Sequence, residues 1–562
     1  MTTAESRPTP EQPKPRKPSP LLGVLFLIPA VLACGLSQLA LSISTLNTSL
    51  QRADIFSASQ FIGGQNYAQL LQDKNLLGAL GFNVILLIAQ VLAVFLVPLL
   101  LAWGASRFGR SLRIGLKVLF TIPVAVFSPV ALSILWALVF SPASIGTGPS
   151  VLATPASARS IFVVLEFIYT LGLACGVGLV FALAAFRDPQ AGSIKPLFVT
   201  WGIGLLAVAA LSLQSFTFSF VLTSGGPASA TTTLVYYLYS VSFKYMRLGM
   251  GAAVSTILLA LLGLLGLAAG ALLVFTGLKI ALLPRSAESG QNRQEGFVGC
   301  LRIGALILGL LAGLTALLLD LSPLFATITT AGLGQGVREV QRSAPLGSTL
   351  VNSLLPPLIS VLLIQFPASY LGALGIGALR PLGRHSELLL LPFSPWLFTG
   401  LVPFSIAILQ VYRQLGWLGK LTGLIQPLMI SVPMLVLLTL FFKGQEKAFR
   451  DEWALGTPGV RAFIVKYVLP SLPLAGLLVI AGLFVSMQDS FWALVFANTK
   501  ELFSANSLLL SIRGMYAGSQ AMLASAAFLV LIPTFLFALL AFSIFQIFYL
   551  DRLTLQAGRQ VE

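Results

Sequence analysis

The chain has 562 residues, of which 57% are hydrophobic and only 9% charged, and its mean hydropathy is +0.93. A water-soluble protein carries about a quarter of its residues charged, so this composition excludes a soluble fold. Runs of ~20 apolar residues recur, long enough to cross ~30 Å of hydrocarbon as helices. Alternating strand patterns are absent, which excludes a barrel. The expected fold is all-α: a polytopic helical membrane protein. In a soluble chain the net charge of +16 would suggest nucleic acid. Here its placement matters instead, because Lys and Arg collect on the cytoplasmic side of a membrane.

Residues 1–20 are Pro-rich and basic, and are read as a disordered cytoplasmic N-terminus. The apolar run 21–44 is too long for a signal-peptide core and has no small-residue cleavage site, so it is expected to remain as the first span. A polar loop follows, then a second span (80–103) and a basic turn. The third span (118–140) carries Pro123 and Pro129, which predict a kinked helix. The fourth span is 160–186. After the short turn 187–196 the fifth ends near residue 222, and a polar, aromatic stretch precedes the sixth at 251–283. The hydrophilic segment 284–300 is a linker between halves. The pattern then repeats, with spans at 303–327, 350–377, 388–411, 421–442, 471–496 and 521–549. About 12 transmembrane helices are therefore expected, six in a domain at 21–283 and six in a domain at 301–562. With both termini inside, roughly 23 of the 34 Lys and Arg residues fall on the cytoplasmic side and about 11 outside.

The longest charged interruption of the second half is 443–470. It places Lys443, Glu446, Lys447, Arg450, Asp451, Glu452, Arg461 and Lys466 between two apolar runs and closes on a Leu469-Pro470 stop. A charged helix-turn-helix so placed can take force from a soluble partner. The chain has no nucleotide-binding loop: around Gly416, Gly419 and Lys420 the glycine spacing is wrong, and no Ser or Thr follows the lysine. Cys34, Cys175 and Cys300 match no metal spacing, and the one histidine, His385, sits in a short basic loop. No catalytic triad or paired-carboxylate constellation is present. No cofactor is expected on this chain, and its energy must come from an ion gradient or a partner. Polar residues inside spans cost a few kcal/mol each in lipid, which marks candidates for a solute path: Glu166, Tyr169, Gln214 and Ser215 in the first half, and Gln365, Gln410, Gln488, Asp489, Ser490 and Trp492 in the second. Helix–helix packing through polar contacts is the alternative reading for each.

Several motifs fall in a known order. Phe61-Ile62-Gly63-Gly64-Gln65-Asn66-Tyr67 lies in the first external loop, and Asn83 opens the second span. Pro123, Pro129 and Trp136 follow, then Leu222-Thr223-Ser224-Gly225-Gly226-Pro227 with Thr231–Thr233 and Tyr236–Tyr239. The second half carries Asn352-Ser353 and Ala368-Ser369-Tyr370. On these residues the chain resembles the inner-membrane permeases of binding-protein-dependent ABC importers of the maltose and glycerol-phosphate type, as two permease domains fused in one polypeptide. The resemblance implies a non-catalytic membrane subunit that receives sugars, oligosaccharides or related polar solutes from an external solute-binding protein. It also implies cytoplasmic ABC ATPase subunits, identical or different, that carry ATP and Mg. Permeases of this type sit in the cell inner membrane, among lipid, with no role for nucleic acid. Their cytoplasmic loop begins Glu-Ala-Ala, passes a glycine, ends Leu-Pro and docks into the ATPase. Here the matching positions are Glu452-Trp453-Ala454, Gly456, Phe463 and Leu469-Pro470, with two spacings that depart from the pattern. Glu446, Asp451 and Glu452 are expected to meet basic groups on the partner, with Trp453, Leu455 and Phe463 as an apolar knob. The first half has only 187–195 where such a helix would stand. Two other classes fit less well: an ion-coupled twelve-helix transporter, which should lack the charged loop, and a membrane scaffold without transport.

Overall fold

A computed structural model of the chain describes residues 20–53, 59–106, 108–140, 151–186, 195–283, 297–330, 332–454, 459–497, 499–515 and 519–558. The N-terminal segment 1–19, the turn 187–194, most of the linker (284–296), Leu455 and Gly456 lie outside the described residues. Helices α1 (Pro20–Ser49), α3 (Lys74–Ala105), α6 (Pro155–Phe186), α7 (Lys195–Leu213) and α9 (Leu248–Thr276) are long and apolar enough to span a membrane. Between them lie the two-residue pair β1 (Gln51–Arg52) and β2 (Gln60–Phe61), and the short helices α2 (Gln65–Gln72) and α8 (Leu234–Tyr239). The third expected span is a broken one. Helix α4 (Arg110–Ala125) meets α5 (Pro129–Phe140) at 76°, because Pro129 can open a helix but cannot continue one. Strand β3 (Lys279–Leu282) closes the first half.

The second half opens on α10 (Phe297–Thr330), followed by the amphipathic α11 (Leu333–Ser343) and by α12 (Leu346–Leu379). Short helices α13 (Ser405–Gln414), α14 (Val432–Gly444) and α15 (Glu446–Ala454) lead into α16 (Gly459–Met487). The chain ends with α17 (Ser490–Phe496), α18 (Ala505–Met515), α19 (Gln520–Phe548) and β4 (Leu553–Gln556). Nine helices among the described residues are long enough to span, or ten if the α4–α5 pair counts as one. The count of 12 is not reached because the expected spans at 388–411 and 421–442 are not single helices. Residues 383–404 form successive 3-10 turns, and only α13 and the 13-residue α14 are regular. Pro392, Pro395, Pro403 and Pro427, together with Gly400, Gly416, Gly419 and Gly423, remove the donors and rigidity that a continuous helix needs.

The opening helix of each half lies against the other half: α1 packs on α12, and α10 packs on α3 and α6. At the α3–α10 crossing, a Cβ on Gly104 would come within 2.9 Å of the Leu306 backbone, and one on Gly309 within 3.1 Å of Leu101 N. Such close approach through small residues is what holds helices together in lipid, where burial of apolar surface gives little net drive.

One end of the bundle gathers the charges. Gly23 packs on Leu379 and Pro381. Asp551, just before β4, takes Lys117 at 2.9 Å, with Arg110 and Arg113 at 3.7 Å. Strands β3 and β4 pair antiparallel, with Lys279 opposite Gln556 and Leu282 opposite Leu553. The start of α1, the 379–387 turn, the α14–α15 junction and strand β4 therefore share one face.

Candidate functional site

The buried polar side chains in the spans converge on the seam between the halves. Glu166 of α6 is 5% exposed and accepts from Gln90 Nε2 at 3.1 Å and from Ser215 Oγ at 2.6 Å. Two residues on, Thr217 shares a 2.8 Å hydrogen bond with Ser490 of the second half. Tyr169, one turn beyond Glu166, stacks on Phe127 at 5.9 Å and meets Phe218 edge-on at 5.6 Å. Phe127 in turn approaches Phe484 of α16. Asp489 caps α17 by accepting from Trp492 N at 2.9 Å. Buried oxygens without a hydrogen-bond partner in this region include Gln90 Oε1, Tyr169 OH and Gln488 Oε1. In a core, such groups each cost about 1–3 kcal/mol. Aromatic faces beside paired amide and carboxylate groups suit a polyhydroxylated solute.

Of the residues singled out from the sequence, Glu166, Tyr169, Ser215, Gln488, Asp489 and Ser490 belong to this seam. The others do structural work. Gln214 donates to Phe398 O at 2.9 Å and accepts from Gly400 N at 3.1 Å, tying the first half to the 3-10 region of the second. Gln410 accepts from Thr48 at 3.1 Å. Trp492 donates to Leu424 O and stacks on Phe496 at 4.0 Å. Gln365 is buried in the stretch of α12 that packs on α16. Two residues were passed over. Gln90 binds Glu166, and Asp320 of α10, 3% exposed, lies against Gly172 of α6, two turns on from Glu166. Each breaks an apolar run, the same signal that marked Glu166.

The charged face differs from expectation. Glu446 sits between Arg380 and Arg450, and Glu452 lies 3.1 Å from Lys466. Both carboxylates are thus engaged within the chain, while Lys447, Arg450 and Asp451 are exposed. Phe463 does not stand out as a knob. It meets Tyr467 at 5.3 Å and Phe449 at 6.5 Å, and Phe442, Tyr467 and Tyr370 extend this aromatic cluster into the bundle. Nor is Leu469-Pro470 a stop: α16 runs through it from Gly459, because Pro470 stands in the first turn of the stretch Leu469–Met487, below a wide turn at Ile464–Val468 that needs no donor from it. Trp453 and Ala454 end α15.

A polytopic helical bundle with a polar seam between two intertwined halves and a helical projection on its charged face is the architecture of a membrane transport subunit. No family model matches the chain. It is 27% identical over 271 residues to the sn-glycerol-3-phosphate transport system permease protein UgpA of Agrobacterium fabrum, and 29% identical over 271 residues to that of Rhizobium meliloti. Each alignment covers 43% of this chain and 92% of the relative. A probable ABC transporter permease of Pyrococcus horikoshii is 24% identical over 267 residues, covering 42% and 90% respectively. Over that part of its length the chain is similar to the permease subunits of ABC importers.

Proposed function

We propose that the chain is a fused pair of permease domains (21–283 and 301–562) of an ATP-driven importer for sugars, oligosaccharides or related polar solutes such as the glycerol-phosphate esters that name its relatives, set in the cell inner membrane with both termini cytoplasmic. One relative's length accounts for less than half of the chain, and the order long helix, short helix, long helix repeats at α1–α2–α3 and α10–α11–α12. The observation that carries the reading is the charged face. Lys443 and Glu446 stand beside Arg380 and Glu387 of the 379–387 turn, on the face where Asp551 before β4 gathers Arg110, Arg113 and Lys117 of α4, as a cytoplasmic docking surface would. Cytoplasmic ATPase subunits hold ATP and Mg there. An external binding protein delivers solute to the opposite end, and the seam at Glu166, Tyr169, Ser215 and Ser490 alternates between the two sides. This chain breaks no bond itself.

The test is purification of the full chain from its source membrane with ATP hydrolysis as readout. The wild type is expected to bring down an ATPase, and an Asp451→Ala/Trp453→Ala pair to lose it. Asp451 is chosen because Glu452 already serves Lys466. A wild type that holds no ATPase where other importer permeases hold theirs overturns the reading.

A further inference from the structure

The two halves reach the charged face unequally. The second half has α15, nine residues long. In the first half α6 and α7 are joined by residues 187–194, a segment shorter than α15 alone. The first half needs another source of movement, and the paired tails β3 and β4 supply one.

The ribbon is cross-connected. Strand β3 belongs to the first half yet rests on the second: Lys443 Nζ donates to Leu278 O at 3.3 Å while holding Glu387 at 2.7 Å. Gly444, at the root of α15, lies so close to β3 that an added Cβ would sit 1.9 Å from Ile280 O. Strand β4 belongs to the second half yet rests on the first, packing against the Leu179–Phe186 end of α6. Four ladder pairs, with Leu283 N donating to Arg552 O at 2.9 Å and Gly558 N to Thr276 O at 3.2 Å, lock the strands together. Ile280, Leu553 and Leu555 are buried in one apolar cluster with Ala184 and Ala185 of α6 and Phe441 and Phe442 of α14. A hydrogen-bonded ribbon packed on both sides moves as a unit, because close-packed contacts transmit displacement rather than absorb it.

We infer that the β3–β4 ribbon relays movement of α15 to the cytoplasmic end of α6, so that one docking helix drives both halves. This rests on the importer-permease reading and extends it. The drive enters at α15, passes through Gly444 and Lys443 to β3, crosses the ladder to β4 and reaches α6, whose Glu166 and Tyr169 line the seam.

The experiment uses the complex of the full chain with its ATPase subunits, carrying Ser215→Cys as a reporter in a Cys300→Ser background, since Cys34 and Cys175 are buried. ATP with vanadate is the probe, and maleimide labelling of the reporter reads opening of the seam. Thr554→Pro removes an N–H from the middle of the ladder and should leave the ATPase bound but abolish the nucleotide-dependent rise in labelling. Lys443→Met keeps the backbone unchanged and should cut the rise about tenfold, the factor set by one charge-assisted hydrogen bond in a two-state opening. Labelling that rises in Thr554→Pro as in wild type overturns the relay, as does a wild-type rise in Lys443→Met should the proline variant fail to accumulate. A wild-type complex that binds no ATPase overturns the permease reading itself, and one that binds ATPase without any rise overturns the seam as the path and the relay with it.

Discussion

Replacing Asn83 with alanine removes the side chain that joins three elements of the first half. Asn83 is 2% exposed on α3. Its Oδ1 accepts from Leu234 N at 2.8 Å, and its Nδ2 donates to Ser212 O at the end of α7. Leu234 N is the first amide of α8, where no intrahelical acceptor exists, so nothing within the chain replaces Oδ1. Alanine keeps the backbone oxygen that accepts from Ser212 Oγ at 2.9 Å but strands the Leu234 N–H, and leaves Ser212 O only the bond from Ser215 N at 3.3 Å. A buried group left unsatisfied costs about 1–3 kcal/mol, and that is the expected loss. Reversible SDS unfolding of the purified chain in mixed micelles, followed by tryptophan fluorescence, measures it. Asn83→Asp keeps the acceptor for Leu234 but sets a carboxylate against Ser212 O, and should be no more stable than Asn83→Ala. Stability of Asn83→Ala within about 0.5 kcal/mol of wild type, the range of an inconsequential surface change, would refute the reasoning.

Other residues give sharper local tests. Burial pushes the Asp73 carboxyl up, but the Tyr237 hydroxyl at 2.6 Å and the Asn75 and Leu76 amides override it and hold the carboxyl below its ordinary range. Its stabilisation is therefore present above the unfolded value of about 3.9 and lost as pH falls through the lower folded value; Tyr237→Phe should flatten this acid limb of thermal stability. Gly249→Ala sets a Cβ 2.0 Å from Gln51 O and should cost about 1–3 kcal/mol by overpacking, with raised hydrogen exchange at β1. Phe449→Ala empties a ring packed 5.0 Å from Tyr467, at a cost of about 3–5 kcal/mol; faster hydrogen exchange confined to α15 is expected, and an unchanged exchange pattern would count against that packing. Trp492→Phe keeps the stack on Phe496 but drops the bond to Leu424 O, and should lower stability by about 1–3 kcal/mol on SDS unfolding.

Particular residues show why some features were legible in the sequence and others were not. The long spans were readable because length and hydropathy are local properties with a fixed threshold. Glu166 stood out as a carboxylate in an apolar run, and by the same rule Asp320 should have been taken. The 383–404 stretch misled because its hydropathy is that of a span, while its prolines at 392, 395 and 403 forbid one. The i,i+4 pair of Glu446 with Arg450 is readable from spacing, but Arg380, 66 positions away from Glu446, and the Lys466 partner of Glu452 are not.

The sequence by itself determined that this chain lives in a membrane as helices, since 9% charged residues cannot cover a soluble surface and lipid leaves backbone groups no partner outside a helix or closed barrel. It also placed the charged segment and the motifs that mark an importer permease. Only the tertiary structure decided which polar side chains face one another across the seam, which carboxylates of the docking segment are already spent, and that the two tails form one ribbon. Those are contacts between residues up to several hundred positions apart, such as Lys279 and Gln556, and they follow from the exchange of opening helices and the close glycine crossings, which no local pattern encodes.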